Sequence, residues 1–321
     1  MSVEFALTLH PLEPIDPSSI EISSSGRRKT ARIALVSVLA ILTSACSAIG
    51  VLNGVAKVTS PGITVTRDIA YAPGERHGLD VYQPAQHRVG RPVVVFFYGG
   101  GWDSGAKADY AWVGRALAGQ GFVTVVPDYR IYPQAKWPDF LQDSALAVRW
   151  ARDHAADYGG QPAKLVLMGH SAGAYNAVDL ALDERWLTAV GVDPEHDIKG
   201  VVGLSGPYDF LPLESDELKT IFGPEAQRPD TQPINHVNGR AAPLLLITGD
   251  KDHTVDPGNS DRLAAKVRAA GGQVTVIHYT GLDHARTVAA LAGPLRWIAP
   301  IMREATAFID RQTGVAPPPA N

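Results

Sequence analysis

The sequence predicts an α/β fold in which helices cover both faces of a mostly parallel central sheet. Short apolar runs alternate with helical patterns between residues 63 and 312, and most of these runs are continuous in their apolar residues. Continuous apolar strands are typical of parallel sheets, because both faces of such a sheet are buried. No internal repeat interrupts the alternation. One domain, at residues 63–312, is therefore expected to contain the sheet.

Composition excludes some classes of function. The 321 residues are enough to bury a large core, and the formal net charge is −4. Lysine and arginine form no run longer than residues 27–29, so a nucleic-acid partner is not expected. The single cysteine, Cys46, cannot form an internal disulfide. Stability must therefore come from packing.

The first 46 residues contain the pattern of an export signal. Residues 1–26 are polar and are expected to form a disordered extension. Residues 27–46 begin with basic side chains, continue as an apolar run and end in Thr-Ser-Ala-Cys. This order is typical of a secretory signal, and its end resembles a bacterial lipoprotein box in which Cys46 carries lipid. Residues 47–62 would then be a tether.

An uncleaved membrane anchor is the alternative for the same segment. Residues 33–52 carry no charge and are long enough to span a bilayer, with the basic side chains remaining in the cytoplasm. Both interpretations predict export to the bacterial cell envelope and attachment to a membrane.

Eight strands and five helices are predicted along the domain. The first two strand patterns alternate more than the others, so we expect them to form an antiparallel edge. The predicted strands lie at residues 64–71, 79–82, 93–98, 122–126, 165–168, 201–204, 244–248 and 274–279. The predicted helices lie at residues 110–118, 140–156, 175–182, 260–270 and 296–311, and residues 313–321 are expected to be a disordered tail.

Residues 206–240 break the rhythm of strands and helices. They contain several prolines, and their apolar residues show no strong helical or strand periodicity. We expect a small cap over the carboxyl edge of the sheet, and a long ordinary connection is the alternative.

A lone serine lies between two glycines where a strand pattern changes into a helical one. Residues 169–173 read Gly-His-Ser-Ala-Gly and fit G-x-S-x-G, the nucleophile elbow, in which small neighbours permit a strained turn. A serine hydroxyl is a weak nucleophile, so it needs a base, a group that orients the base, and donors for the oxyanion. Ser171 is therefore the candidate nucleophile.

A glycine-rich loop follows the strand predicted at residues 93–98. A dinucleotide-binding G-x-G-x-x-G pattern would need glycine where the chain has Ser104. The alternatives are a structural tight turn and the oxyanion loop of esterases, which the elbow favours. The expected oxyanion donors are the amides of Gly100, Gly101 and Ala172.

The base and its orienting acid should follow the serine in the order Asp, then His. Asp252 and His284 come after the strands at residues 244–248 and 274–279, and sites in this architecture collect at the carboxyl ends of strands. His278 lies within the last strand pattern, so His284 is the better base. Asp250 and Asp256 are expected in turns or caps.

With these residues in place, the chain resembles the α/β-hydrolase superfamily, in particular esterases of the hormone-sensitive-lipase and feruloyl-esterase-like type. The resemblance spans residues 79–284 and rests on the motifs LDVYQP, YGGGW, PDYRIYP, GHSAG, GLSGPYD and GDKDHTV. Residues 93–181 are also similar to prenylcysteine methylesterases. Tyr98 stands where most hormone-sensitive-lipase relatives have the histidine of H-G-G-G.

The resemblance implies a serine carboxylesterase that acts on a small-molecule ester through Ser171, His284 and Asp252, and it implies no metal or cofactor. Trp102 is the candidate substrate-binding side chain, with packing in the core as the alternative. An arylformamidase or another amide hydrolase would use the same machinery. A binding module without catalysis is the alternative of a different class.

Overall fold

The structure, a computed structural model, describes residues 48–60, 62–86 and 89–315. Its centre is an eight-stranded sheet with the order β1-β2-β4-β3-β5-β6-β7-β8. The strands are β1 (Ile63–Ala70), β2 (Gly78–Pro84), β3 (Arg91–Phe97), β4 (Val123–Pro127), β5 (Gly160–His170), β6 (Ile198–Leu204), β7 (Leu244–Gly249) and β8 (Val274–Tyr279).

The sheet is parallel from β4 to β8 and antiparallel at one edge. β1 pairs with β2, and β2 pairs with β4, in the antiparallel sense. The other five pairings are parallel. This arrangement confirms the predicted parallel sheet and its antiparallel edge.

Helices cover both faces of the sheet, and β3 is buried along all of its length after Arg91. Helices α3 and α4 pack against each other and against β5, whereas α9 packs over β5, β6 and β7. The helices are α1 (Ala48–Thr59), α2 (Ala111–Ala118), α3 (Asp139–His154), α4 (Ala172–Leu182), α5 (Glu184–Ala189), α6 (Asp216–Ile221), α7 (Gly258–Ala269), α8 (His284–Ala289) and α9 (Ile301–Thr313).

The last helix begins later than the sequence pattern predicts. The prediction placed its start at residue 296, but α9 begins at Ile301, directly after Pro300. Proline disfavours helical dihedrals in the residue before it, so a helix starts more readily after proline than across it. Residues 293–295 form a short 3₁₀ turn instead.

Helix α1 lies in the segment expected to be a tether, and the sequence analysis did not predict it. Asn53 fixes it to the start of α2, because its side chain donates to the Ala108 carbonyl at 2.9 Å and accepts the Trp112 amide at 2.9 Å. Cys46 and the predicted signal segment lie outside the described residues. In the part of the chain that the structure describes, every helix is too short or too polar to cross a bilayer.

The connection between β6 and β7 folds over the start of α4. It contains α6 and two short 3₁₀ helices at residues 225–231 and 233–236. The Tyr175 hydroxyl on α4 donates to the Thr231 carbonyl at 2.7 Å, and the Trp137 amide donates to the Ile221 carbonyl at 2.9 Å. The connection therefore covers this end of α4, as a small cap would.

Candidate active site

Ser171 occupies the turn between β5 and α4 with a strained backbone. Its φ of 55° lies in the left-handed region, which a residue with a Cβ rarely adopts. Hydrogen bonds hold it there: its amide donates to the Leu204 carbonyl at 2.9 Å, and its own carbonyl accepts the Ala174 and Tyr175 amides. The strand-turn-helix setting predicted for the G-x-S-x-G motif is present.

Both glycines of the motif are required by close approach of the backbone. A Cβ on Gly169 would overlap the carbonyl of Gly173, and a Cβ on Gly173 would overlap the carbonyl of Phe97 at the end of β3. The turn is therefore pressed against β3, where the glycine-rich loop begins.

The glycine-rich loop turns back on itself at residues 99–105. Gly100 and Gly101 have φ of 137° and 60°, and the Ser104 amide and hydroxyl both donate to the Gly100 carbonyl at 2.9 Å. Within the described residues no acceptor is hydrogen-bonded to the amides of Gly100, Gly101 or Ala172. These three donors are thus free to bind an external oxygen, as an oxyanion hole requires.

Tyr98 replaces the expected histidine by joining a buried polar network beneath this loop. Its hydroxyl donates to Asp128 Oδ1 at 3.0 Å and accepts from Arg76 Nη2 at 2.7 Å. Arg76 also donates to the carbonyls of Gly105 at 2.7 Å and Tyr129 at 2.9 Å. The sequence analysis missed Arg76, because no motif distinguishes it. Only the contacts of Arg76 with the glycine-rich loop show that this side chain supports the loop.

Asp252 and His284 meet at the carboxyl edge of the sheet. Asp252 Oδ2 lies 2.8 Å from His284 Nδ1, and Asp252 Oδ1 accepts the amides of Thr254 at 3.0 Å and Val255 at 2.9 Å. Burial opposes ionisation of Asp252, but the His284 ring and the Val255 amide outweigh it, so the pKa of this carboxyl lies below its usual value. The carboxylate is therefore poised to orient the imidazole and to stabilise its charged form.

The competing side chains face other partners. Asp250 accepts the Gly281 amide at 2.6 Å, and Asp256 accepts the Gly258 amide at 3.0 Å and pairs with Arg262 at 2.9 Å. His278 pairs with Asp261 at 2.9 Å. Within the described residues no three histidine, cysteine or carboxylate side chains are grouped in a way that could hold a metal ion.

His170, which precedes the serine, contacts the candidate base His284. Its Nε2 lies 3.1 Å from the His284 carbonyl, and the two ring centroids are 4.8 Å apart. Burial, with repulsion from His284, lowers the pKa of His170 to about 3. The ring is thus neutral at physiological pH, and because it bonds to a carbonyl, its proton must be on Nε2. The sequence analysis gave this residue no part in the reaction.

Trp102 is almost fully buried, with 4% of its surface exposed. Its indole N–H donates to Asn176 Oδ1 at 3.1 Å, and aromatic rings surround it. The surrounding rings are Phe140, Tyr175, Phe210 and Phe222. Its contact with substrate stays a prediction, and most of its surface serves packing.

Comparison with known proteins places the fold in a family. A family model described as BD-FAE matches residues 79–267, which is more than half of the chain. The chain belongs to the BD-FAE family. The predicted likeness to α/β-hydrolase esterases of this group, prenylcysteine methylesterases included, is confirmed.

Curated relatives of this BD-FAE protein are esterases from plants and bacteria. It is 30% identical over 256 residues to a probable isoprenylcysteine alpha-carbonyl methylesterase, ICMEL1, of Arabidopsis thaliana, covering 72% of this chain and 53% of that protein. It is 29% identical over 213 residues to esterase LipC of Mycobacterium tuberculosis, covering 60% of this chain and 52% of that protein. The chain thus spans little more than half the length of these relatives.

Solved structures share the fold of this BD-FAE protein. Esterase 2 of Thermogutta terrifontis, in a form phosphonylated by sarin, matches with a TM-score of 0.66 and 25% identity, over 81% of this chain and 98% of that one. A truncated carbohydrate esterase from gut microbiota matches with a TM-score of 0.67 and 23% identity, over 78% of this chain and 96% of that one. The α/β-hydrolase fold predicted from the motifs is confirmed.

Proposed function

We propose that the protein is a serine carboxylesterase that hydrolyses carboxylic esters through an acyl-enzyme. The observation that carries the proposal is the 2.8 Å contact between His284 Nδ1 and the buried carboxylate of Asp252. It lies at the sheet edge where Ser171 is held in a strained turn. The relatives named as esterases support ester hydrolysis as the reaction.

In this mechanism His284 Nε2 takes the proton of the Ser171 hydroxyl while Oγ attacks the ester carbonyl carbon. The amides of Gly100, Gly101 and Ala172 stabilise the negative oxygen of the tetrahedral intermediate. His284 then gives the proton to the departing alcohol. Water, deprotonated by His284, attacks the acyl-enzyme and releases the acid, and the proton returns to Ser171. Throughout, Asp252 holds the imidazole in the productive tautomer.

The test is labelling of the folded protein with paraoxon, a reagent that phosphorylates the related Thermogutta terrifontis esterase 2. Mass spectrometry should place the adduct on Ser171. Ser171→Ala should lose the adduct and reduce kcat on p-nitrophenyl esters by about 10⁶-fold. Ser215→Ala, which changes an exposed helix-capping serine, is the matched control and should keep both the adduct on Ser171 and the esterase activity. An adduct elsewhere, with activity retained in Ser171→Ala, would refute the proposal.

Turnover of two kinds of substrate separates the amide-hydrolase and binding-module alternatives. An arylformamidase or other amide hydrolase would turn over N-formyl aryl amides with a higher kcat/KM than p-nitrophenyl esters, and Ser171→Ala would abolish both activities. A binding module would turn over neither substrate, and Ser171→Ala would change nothing.

We also propose that the protein is exported to the bacterial cell envelope and lipidated at Cys46. The support is the order of basic, apolar and Thr-Ser-Ala-Cys segments at residues 27–46. Mass spectrometry of the membrane fraction should find a mature chain that begins at lipid-modified Cys46, and Cys46→Ser should block that processing. An intact, unmodified N-terminus in the membrane would favour the uncleaved anchor, and a full-length soluble chain in the cytosol would refute both.

A further inference from the structure

Helix α1 presents apolar side chains outward as well as inward. Leu52, Asn53 and Ala56 face α2, and the two hydrogen bonds of Asn53 fix this orientation. On the opposite side Val51 is 44% exposed and Val58 is 80% exposed, and the two lie seven residues, or about two helical turns, apart. A surface helix normally carries polar residues on its outer face, so an apolar outer face indicates that something covers it.

A second chain segment near α1 also exposes a large apolar side chain. Trp297 is 81% exposed, and it directly follows Arg296, which lines a cleft of about 260 Å³ against α1 and α2. Together with Val89, these are the large apolar side chains that stand out as exposed in the described part of the chain. We call the outward side chains Val51 and Val58 together with Trp297 the α1 face.

Two cations lie beside the α1 face. Lys57 is exposed on α1, and no carboxylate pairs with it or with Arg296 among the described residues. The side chains that line the cleft include no carboxylate, and Arg296 is the charged one. Tryptophan is enriched where a bilayer meets water, and unpaired cations attract anionic headgroups.

The chain segment that precedes α1 also indicates a lipid bilayer. Lipidation at Cys46, the proposal on which this inference rests, would leave α1 close to the lipid, because α1 begins two residues later, at residue 48. From Cys46 to Ala48 the chain can extend about 7 Å at most. We propose that the α1 face docks the domain on an anionic lipid bilayer, with Val51, Val58 and Trp297 in the interface and Lys57 and Arg296 at the headgroups.

This proposal concerns the folded domain and is independent of the esterase chemistry. The catalytic side chains lie at the carboxyl edge of the sheet, whereas the cleft extends to Gly119 and Gln120, beside the amino end of β4.

The experiment places an environment-sensitive dye on the full chain in a Cys46→Ser background. Val58→Cys labelled with NBD reports on the α1 face, and Glu214→Cys, on the connection between β6 and β7, is the matched control. Vesicles of phosphatidylglycerol and phosphatidylcholine should shift the emission of the dye at position 58 to the blue and leave the dye at position 214 unchanged. Pure phosphatidylcholine should give a smaller shift.

Two further results decide the case. Trp297→Ala with Val51→Ser should weaken the anionic-vesicle affinity of the labelled chain at least about tenfold while p-nitrophenyl acetate turnover stays unchanged, which separates docking from catalysis. If the chain binds vesicles while the dye at position 58 remains in water, residues 33–47 anchor it alone and the proposal is wrong. A blue shift that grows with protein concentration without vesicles assigns the face to a second copy and also overturns it.

Discussion

Acid should destabilise the folded protein through His170, and replacing this residue with glutamine should remove the effect. The pKa of the buried ring is about 3, against about 6.5 in an unfolded chain. Between these two values the unfolded state binds more protons than the folded state. The stability contributed by the neutral ring is therefore fully present above pH 6.5 and is lost progressively as the pH falls towards 3.

The magnitude follows from linkage, at about 1.4 kcal/mol for each pH unit inside this window. At pH 5 the loss is about 2 kcal/mol relative to pH 7.5, or roughly 4–8 °C in Tm for a domain of this size. Urea unfolding at the two pH values, followed by circular dichroism, measures it. His170→Gln keeps a donor for the His284 carbonyl but does not titrate, so its difference between the two pH values should be smaller by about 2 kcal/mol. Equal pH dependence in both proteins would refute the neutral buried ring.

Two further predictions concern the groups that support the reaction. Asp252→Asn should lower kcat by up to about 10⁴-fold, because it loses the carboxylate that orients and stabilises the imidazole, whereas Asp256→Asn should leave kcat near wild type and cost about 1 kcal/mol of stability. Steady-state kinetics on folded protein decide this, and the reverse ranking would mean that the acid is misassigned. Tyr98→Phe should lower the free energy of unfolding by about 1–3 kcal/mol, since Asp128 and Arg76 each lose a buried partner, and should lower kcat more than it changes KM. An unchanged kcat would exclude Tyr98 from positioning the oxyanion loop.

Sequence patterns predicted the sheet well, because continuous apolar runs leave few alternatives for β3 or β7. They also predicted the loop that supplies the acid for His284, because the order of loops after parallel strands determines which side chains share an edge. Within that loop, assigning Asp250 and Asp256 to turns or caps left Asp252, which contacts His284. They did not find α1, because residues 48–52 at its start continue the preceding uncharged apolar run and so could not be separated from it. Nor did they find Arg76, because its role depends on contacts with residues far along the chain.

The contact between Gly173 and the Phe97 carbonyl has a consequence for how this scaffold can be re-engineered. A Cβ at Gly100, Gly169 or Gly173 would overlap neighbouring backbone, so these positions of the elbow and the glycine-rich loop cannot accept a larger residue without displacing the chain beside them. The connection between β6 and β7 touches them differently, through replaceable side chains such as Phe210 and Phe222 against Trp102. Substrate range can therefore be diversified by exchanging residues 206–240 as a cassette, while the turn that carries Ser171 is kept unchanged.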